Sequence, residues 1–121
     1  MKTTIKTYRD LAAWVEAMNM TEEVYLLTQL MPKEELYGLT SQIRRAAVSV
    51  PSNIAEGHAR KGSKEFTHHL SIARGSLAEL ETQLILCTRL KYIEREELKP
   101  VWDKIQEVGK ILTGLVRSLR S

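Results

Sequence analysis

Residues 42–57 read QIRRAAVSVPSNIAEG, and this stretch decides the fold because a helical pattern runs straight through a proline. At helical spacing Leu39, Ile43, Ala46, Ala47, Val50 and Ile54 fall on one face, and Gly57 stands where that stripe ends. Beside it Gln42, Arg45, Ser49, Ser52, Asn53, Glu56 and Arg60 form a polar stripe that repeats at the same spacings, so its neighbours can touch along the helix. Pro51 lacks the N–H that would bond the Ala47 carbonyl, and its ring crowds that carbonyl, at a cost of about 3 kcal/mol in a helix interior. The apolar period nevertheless continues in phase on both sides. The pattern predicts one helix, bent at Val50 and Pro51, the bend being either a kink with no further role or a shape made for a subunit contact; the remaining alternative is a true break at the proline.

Outward from this stretch, Gly62 suits the C-cap of the second helix and Ser63 the N-cap of the third, with Glu65 complementing the dipole in the first turn. So short a connection makes the second and third helices antiparallel neighbours. In the third helix, about residues 64–90, Phe66, Leu70, Ala73, Leu77, Leu80, Leu84 and Cys87 alternate steps of four and three, the spacing of a bundle seam. Alongside lie Ile72, Gly75, Ser76, Glu79, Thr82 and Gln83, where small residues would let another helix come close.

Towards the N-terminus, residues 1–7 read as a short arm, and the first helix is expected from Tyr8 or Arg9 to about Leu30. Leu11, Trp14, Val15, Met18, Tyr25 and Thr28 mark its expected inward face. Pro32 stops it, and Gly38 gives a joint into the second helix. After a turn at residues 91–95, the fourth helix carries a broad inward face of Leu98, Val101, Trp102, Ile105, Val108, Leu112, Leu115, Val116 and Leu119, with Pro100 placing its regular start near Lys99. There is no strand-like alternation, internal repeat or low-complexity tract. The expected fold is all-α, an antiparallel up-and-down four-helix bundle with a proline-bent second helix, as a single domain over residues 1–121.

Composition bounds the function. One cysteine, Cys87, excludes an internal disulfide, and with no apolar segment of signal-peptide length at the N-terminus it points to the cytoplasm. No run approaches the ~18 apolar residues of a membrane span, so no membrane partner is expected. The net charge of +3 is modest. Its distribution is not: residues 38–78 carry Arg44, Arg45, Arg60, Lys61, Lys64 and Arg74 against only Glu56 and Glu65, together with all three histidines, His58, His68 and His69.

IRRAAVSVPSNIAEG at residues 43–57, followed by residues 60–65 and IARGSLAELETQL at residues 72–84, resembles the four-helix bundle proteins encoded in intervening sequences of bacterial 23S ribosomal RNA genes. More distantly, it is similar to the accessory protein of diversity-generating retroelements. The resemblance spans essentially the whole chain and is densest over residues 39–90. It implies an antiparallel four-helix protomer that assembles into a homopentamer, association with nucleic acid, and no established enzymatic activity. It brings no catalytic residues to carry over.

The residues themselves offer little chemistry. Glu65 and His68 form one E-x-x-H on the third helix, but a di-iron bundle needs two such motifs plus glutamates from two other helices, so no metal or cofactor is expected. His68 and His69 titrate near neutrality, yet adjacent residues point about 100° apart on a helix, and no catalytic pairing is assigned. There is no phosphate-cradling glycine loop and no nucleophile elbow. Cys87, on the seam, reads as a packed thiol.

Two sets of residues remain. Arg60, Lys61 and Lys64, with His58 and His68 nearby, form a cationic turn that is either ordinary solvated surface or a phosphate contact, and without interleaved aromatics it does not suggest base stacking. Arg45, Ser49, Asn53 and Glu56, beside Gly75, Ser76 and Glu79, form a second ordered face, expected as a hydrogen-bonded contact between subunits. The favoured function is a non-enzymatic oligomeric module binding structured nucleic acid, RNA or DNA, through basic surface repeated by symmetry. The alternative is a scaffold for a partner protein, with charge serving only solubility.

Overall fold

The computed structural model describes residues 4–120; the first three residues of the expected N-terminal arm and residue 121 lie outside them. Four helices, α1 Ala12–Thr28, α2 Leu39–Ala59, α3 Ser63–Arg89 and α4 Arg95–Arg120, account for most of the chain, and no strand occurs among the described residues. Each helix packs on the next in the order α1, α2, α3, α4 and back to α1, with no diagonal packing. Cross-helix bonds pair rising numbers with falling ones: Thr21 with Ala47 and Thr28 with Arg44 between α1 and α2, Ser49 with Ser76 and Asn53 with His69 between α2 and α3. Both pairs of helices are therefore antiparallel.

The seams of α2 and α3 are as the spacing predicts. Ile43, Ala46, Ala47, Val50, Ile54 and Gly57 of α2 are buried, as are Phe66, Leu70, Ala73, Leu77, Leu80, Leu84 and Cys87 of α3. From α4, Leu98, Val101, Ile105, Val108, Leu112 and Val116 close the core, with Trp102, Leu115 and Leu119 packed at its edge.

The second helix passes through Pro51 without a break, and the proline is itself buried. The carbonyl orphaned by its missing N–H is not left unpaired. The Thr21 hydroxyl of α1 lies 3.2 Å from the Ala47 oxygen and 2.8 Å from the Ala17 oxygen of its own helix, and shares its proton between them. A neighbouring helix thus supplies the hydrogen bond that the proline removes.

Four expectations are corrected. First, the inward face of α1 is only partly the expected one: Thr28 is buried and Leu11 and Trp14 pack against the core, but Val15, Met18 and Tyr25 are 39%, 38% and 41% exposed, and Ala13, Ala17, Met20, Val24 and Leu27 are buried instead. Apolar residues surround most of α1, so their spacing does not fix its phase. Second, α1 starts at Ala12. Before it, a 3-10 turn at Tyr8–Asp10 is closed by Thr7, which accepts from the Arg9 N–H, and by Asp10, which accepts from the Lys6 and Thr7 N–H groups. Those backbone donors, Lys6 foremost, hold the Asp10 carboxyl below the usual carboxylate range.

Third, Lys61 rather than Gly62 takes the left-handed position after α2, at φ 62°, while Gly62 is extended and serves as the N-cap of α3, which places Ser63 inside the helix. Fourth, α4 begins at Arg95, so Pro100 lies within it. The carbonyl that loses its partner there belongs to Glu96 in the exposed first turn, where water can bond it.

Between α1 and α2, a 3-10 turn at Lys33–Glu35 places Glu35 as a tie. Its carboxylate accepts from the Leu39 N–H at 3.0 Å and from the Tyr92 hydroxyl at 3.1 Å, linking the entry to α2 with the turn between α3 and α4. That hydrogen bond, with burial and the charge of Glu35 adding to it, raises the Tyr92 phenol above its ordinary value.

Candidate nucleic-acid interface

The cationic residues expected to act together do meet at the turn between α2 and α3. Arg60, Lys61 and Lys64 are all exposed there. Arg60 bonds Glu56 one turn back at 3.0 Å, an exposed pair of small energetic weight. Lys61 and Lys64 make no ion pair among the described residues. Because Gly62 offers no side chain to cap α3, the N–H groups of Ser63, Lys64 and Glu65 stay open beside these cations, at the positive end of the helix dipole. His58 is half-buried, edge-on to Phe66 with ring centroids 5.6 Å apart, and His68 is exposed with its ring 5.6 Å from that of His69.

Behind the turn, α2 and α3 come together at Gly57. A Cβ added there would lie 2.6 Å from the His69 Cβ and 3.1 Å from a Phe66 ring carbon. The polar stripe then continues down the seam as a hydrogen-bonded ladder. Ser49 and Ser76 share a bond of 2.8 Å, and the Asn53 amide donates to the Ser49 carbonyl at 2.8 Å and to its hydroxyl at 3.1 Å. With its amide nitrogen spent on Ser49, Asn53 has its oxygen left for the His69 Nδ1, 3.1 Å away. Ser49, Asn53 and Ser76 thus find hydrogen-bond partners inside the protomer. Arg45, Glu56, Gly75 and Glu79 remain exposed, and nothing lies within 4 Å of a Cβ built on Gly75.

The thiol of Cys87 is buried, donates to the Met31 sulfur at 3.7 Å, and is pushed up to about 11 by burial, with the charge of Glu35 contributing. At that value it is a packing group and not a nucleophile. Among the described residues no three His, Cys, Asp or Glu side chains converge as a metal site would require, and Glu65 and His68 gather no further ligand. No helix of the described residues is long and apolar enough to cross a membrane.

The family model described as 23S rRNA-intervening sequence protein matches residues 9–114. The chain belongs to this family. A crystal structure of a protein of unknown function from the S23 ribosomal protein family, from Bacteroides thetaiotaomicron, shares the fold with a TM-score of 0.80 at 23% identity, over 87% of this chain and 98% of that one. No curated protein matches.

In this member of the family, the outward position of Tyr25 on α1 gives a surface that the spacing of apolar residues does not predict. Tyr25, Leu36, Tyr37, Arg44, Arg45 and Val48 line an open groove of about 600 Å³ between α1 and α2. The Arg44 guanidinium lies 4.7 Å over the Tyr25 ring, and its Nε donates to the Thr28 hydroxyl at 2.9 Å. Tyr37 is 94% exposed. The available signal was the pair of tyrosines flanking Pro32, but assigning Tyr25 to the core concealed it.

Proposed function

We propose that this protein is a non-enzymatic helical module of the cytoplasm that self-assembles and binds structured RNA through the turn between α2 and α3. The carrying observation is the combination at that turn of three cations, only one of them paired with a carboxylate, and the uncapped N–H groups of α3. Phosphate oxygens suit both: the ammonium groups supply charge and the helix N-terminus supplies oriented donors. The family's association with 23S ribosomal RNA genes supports RNA as the nucleic acid. Five copies, the number implied by the resemblance, would repeat the turn around a ring and create a field far stronger than that of one chain at +3. The exposed α3 stripe of Ile72, Gly75, Glu79 and Leu86 is the surface proposed for assembly.

The test is a titration of a structured RNA hairpin at two salt concentrations with wild type and the triple variant Arg60→Gln, Lys61→Gly, Lys64→Gln. Glycine is chosen at position 61 because it suits the left-handed backbone there. Wild type should bind with little regard to sequence and lose affinity steeply with salt, since each phosphate neutralised on a duplex contributes roughly −0.9 to the logarithmic salt slope. The variant should keep its helical content and lose most of that slope. Equal affinities for the two proteins at both salts would refute the assignment.

A further inference from the structure

We infer that the groove between α1 and α2 is a second nucleic-acid site, one that takes an unpaired nucleotide of a single strand by stacking a base on Tyr37 and holding its phosphate on Arg44 and Arg45. This goes beyond the proposed role of the turn and does not depend on it. The two sites are separate: Arg45 and Arg60 are fifteen residues apart on α2, about 22 Å at 1.5 Å per residue.

The groove's charge selects the ligand. Its lining contains two arginines and no carboxylate. Arg45 makes no ion pair or hydrogen bond among the described residues, and Arg44 uses only its Nε, on Thr28. The stacking on Tyr25 and the bond to Thr28 fix the Arg44 guanidinium plane, which leaves its two terminal nitrogens as a fork for a phosphate. The Ser41 hydroxyl, also in the lining, offers a further donor.

The aromatic part selects further. Tyr37 is nearly fully exposed in the short connection before α2, and Leu36 and Val48 give apolar surface beside it. An acidic peptide would answer the arginines but leave that ring unused. A nucleotide answers both, because every base has a face to stack and carries a phosphate with it. Stacking does not need a particular base, so the site should favour single strands over duplex without reading sequence.

The experiment follows binding of a fluorescently labelled oligouridine by anisotropy, with sedimentation of the same proteins. Tyr37→Ala should weaken binding about 5- to 150-fold, the range for losing one stacked base. Tyr37→Trp should retain it, because indole stacks at least as well. Arg45→Gln should weaken binding and lower its salt dependence. The triple variant at the turn should keep the effect of Tyr37→Ala, which separates failure of this site from failure of the other. Two outcomes would overturn the inference. One is unchanged oligouridine binding by Tyr37→Ala with a lower sedimenting mass, which would make the groove a contact for a second copy of the chain. The other is unchanged binding and unchanged mass.

Discussion

Replacing Thr21 with valine removes a single hydroxyl, and its cost should depend on a residue in another helix. Thr21 is partly buried on α1, and its oxygen lies 3.2 Å from the Ala47 carbonyl that Pro51 cannot bond. Valine keeps the branched shape and leaves that carbonyl, on a fully buried residue, without a donor. Leaving a buried acceptor unpaired costs about 1 to 3 kcal/mol. Pro51→Ala restores an N–H four residues after Ala47, so in that background the carbonyl regains its helical partner and the threonine becomes dispensable there. The bond from Thr21 to Ala17, at 2.8 Å, is lost in both backgrounds and cancels in the comparison. A double-mutant cycle should therefore give a coupling of about 1 kcal/mol or more, with Thr21→Val costly beside Pro51 and nearly neutral beside Ala. Urea unfolding of the four proteins, followed by far-ultraviolet circular dichroism at one fixed chain concentration, measures it. Equal cost of Thr21→Val in the two backgrounds would refute the claim that α1 compensates the proline.

Other perturbations test the packing and the turns. Gly57→Ala should destabilise by about 1 to 3 kcal/mol, although alanine is the better helix former, because the added Cβ would meet His69 at 2.6 Å and push α3 away; a raised unfolding midpoint would contradict this. Lys91→Gly should stabilise by about 0.5 to 1 kcal/mol, since Lys91 sits at φ 63° in the turn between α3 and α4, where only glycine is free of strain; a lower midpoint would count against it.

Much of the fold was legible because α2 and α3 carry one apolar stripe each. Ile43 to Ile54 and Phe66 to Cys87 hold steps of three and four without interruption, so spacing sets their phase even though Ile72 and Leu86 remain exposed on α3. The first helix lacks that contrast. Val15 and Met18 are as apolar as Met20 and Val24, so the choice between the two faces is made by tertiary packing and not by local pattern. The turn between α2 and α3 is legible to within a residue, because Gly62 and Ser63 mark it locally, although the left-handed residue there is Lys61. The polar stripe is legible as an ordered face, but its bonds from Ser49 to Ser76 and from Asn53 to His69 are not, since they depend on the register of two helices. The Thr21 bond to Ala47, spanning 26 residues, left no trace in any local pattern.

The central claim, an assembly that grips RNA by charge, is tested most directly by sedimentation velocity of the purified protein, alone and mixed with a structured RNA hairpin, at low and high salt. The predicted result is one species of about five times the 13.8 kDa chain, which carries the RNA with it at low salt and releases it at high salt without changing its own mass. A stable monomer at micromolar concentration, sedimenting apart from the RNA at both salts, would contradict it.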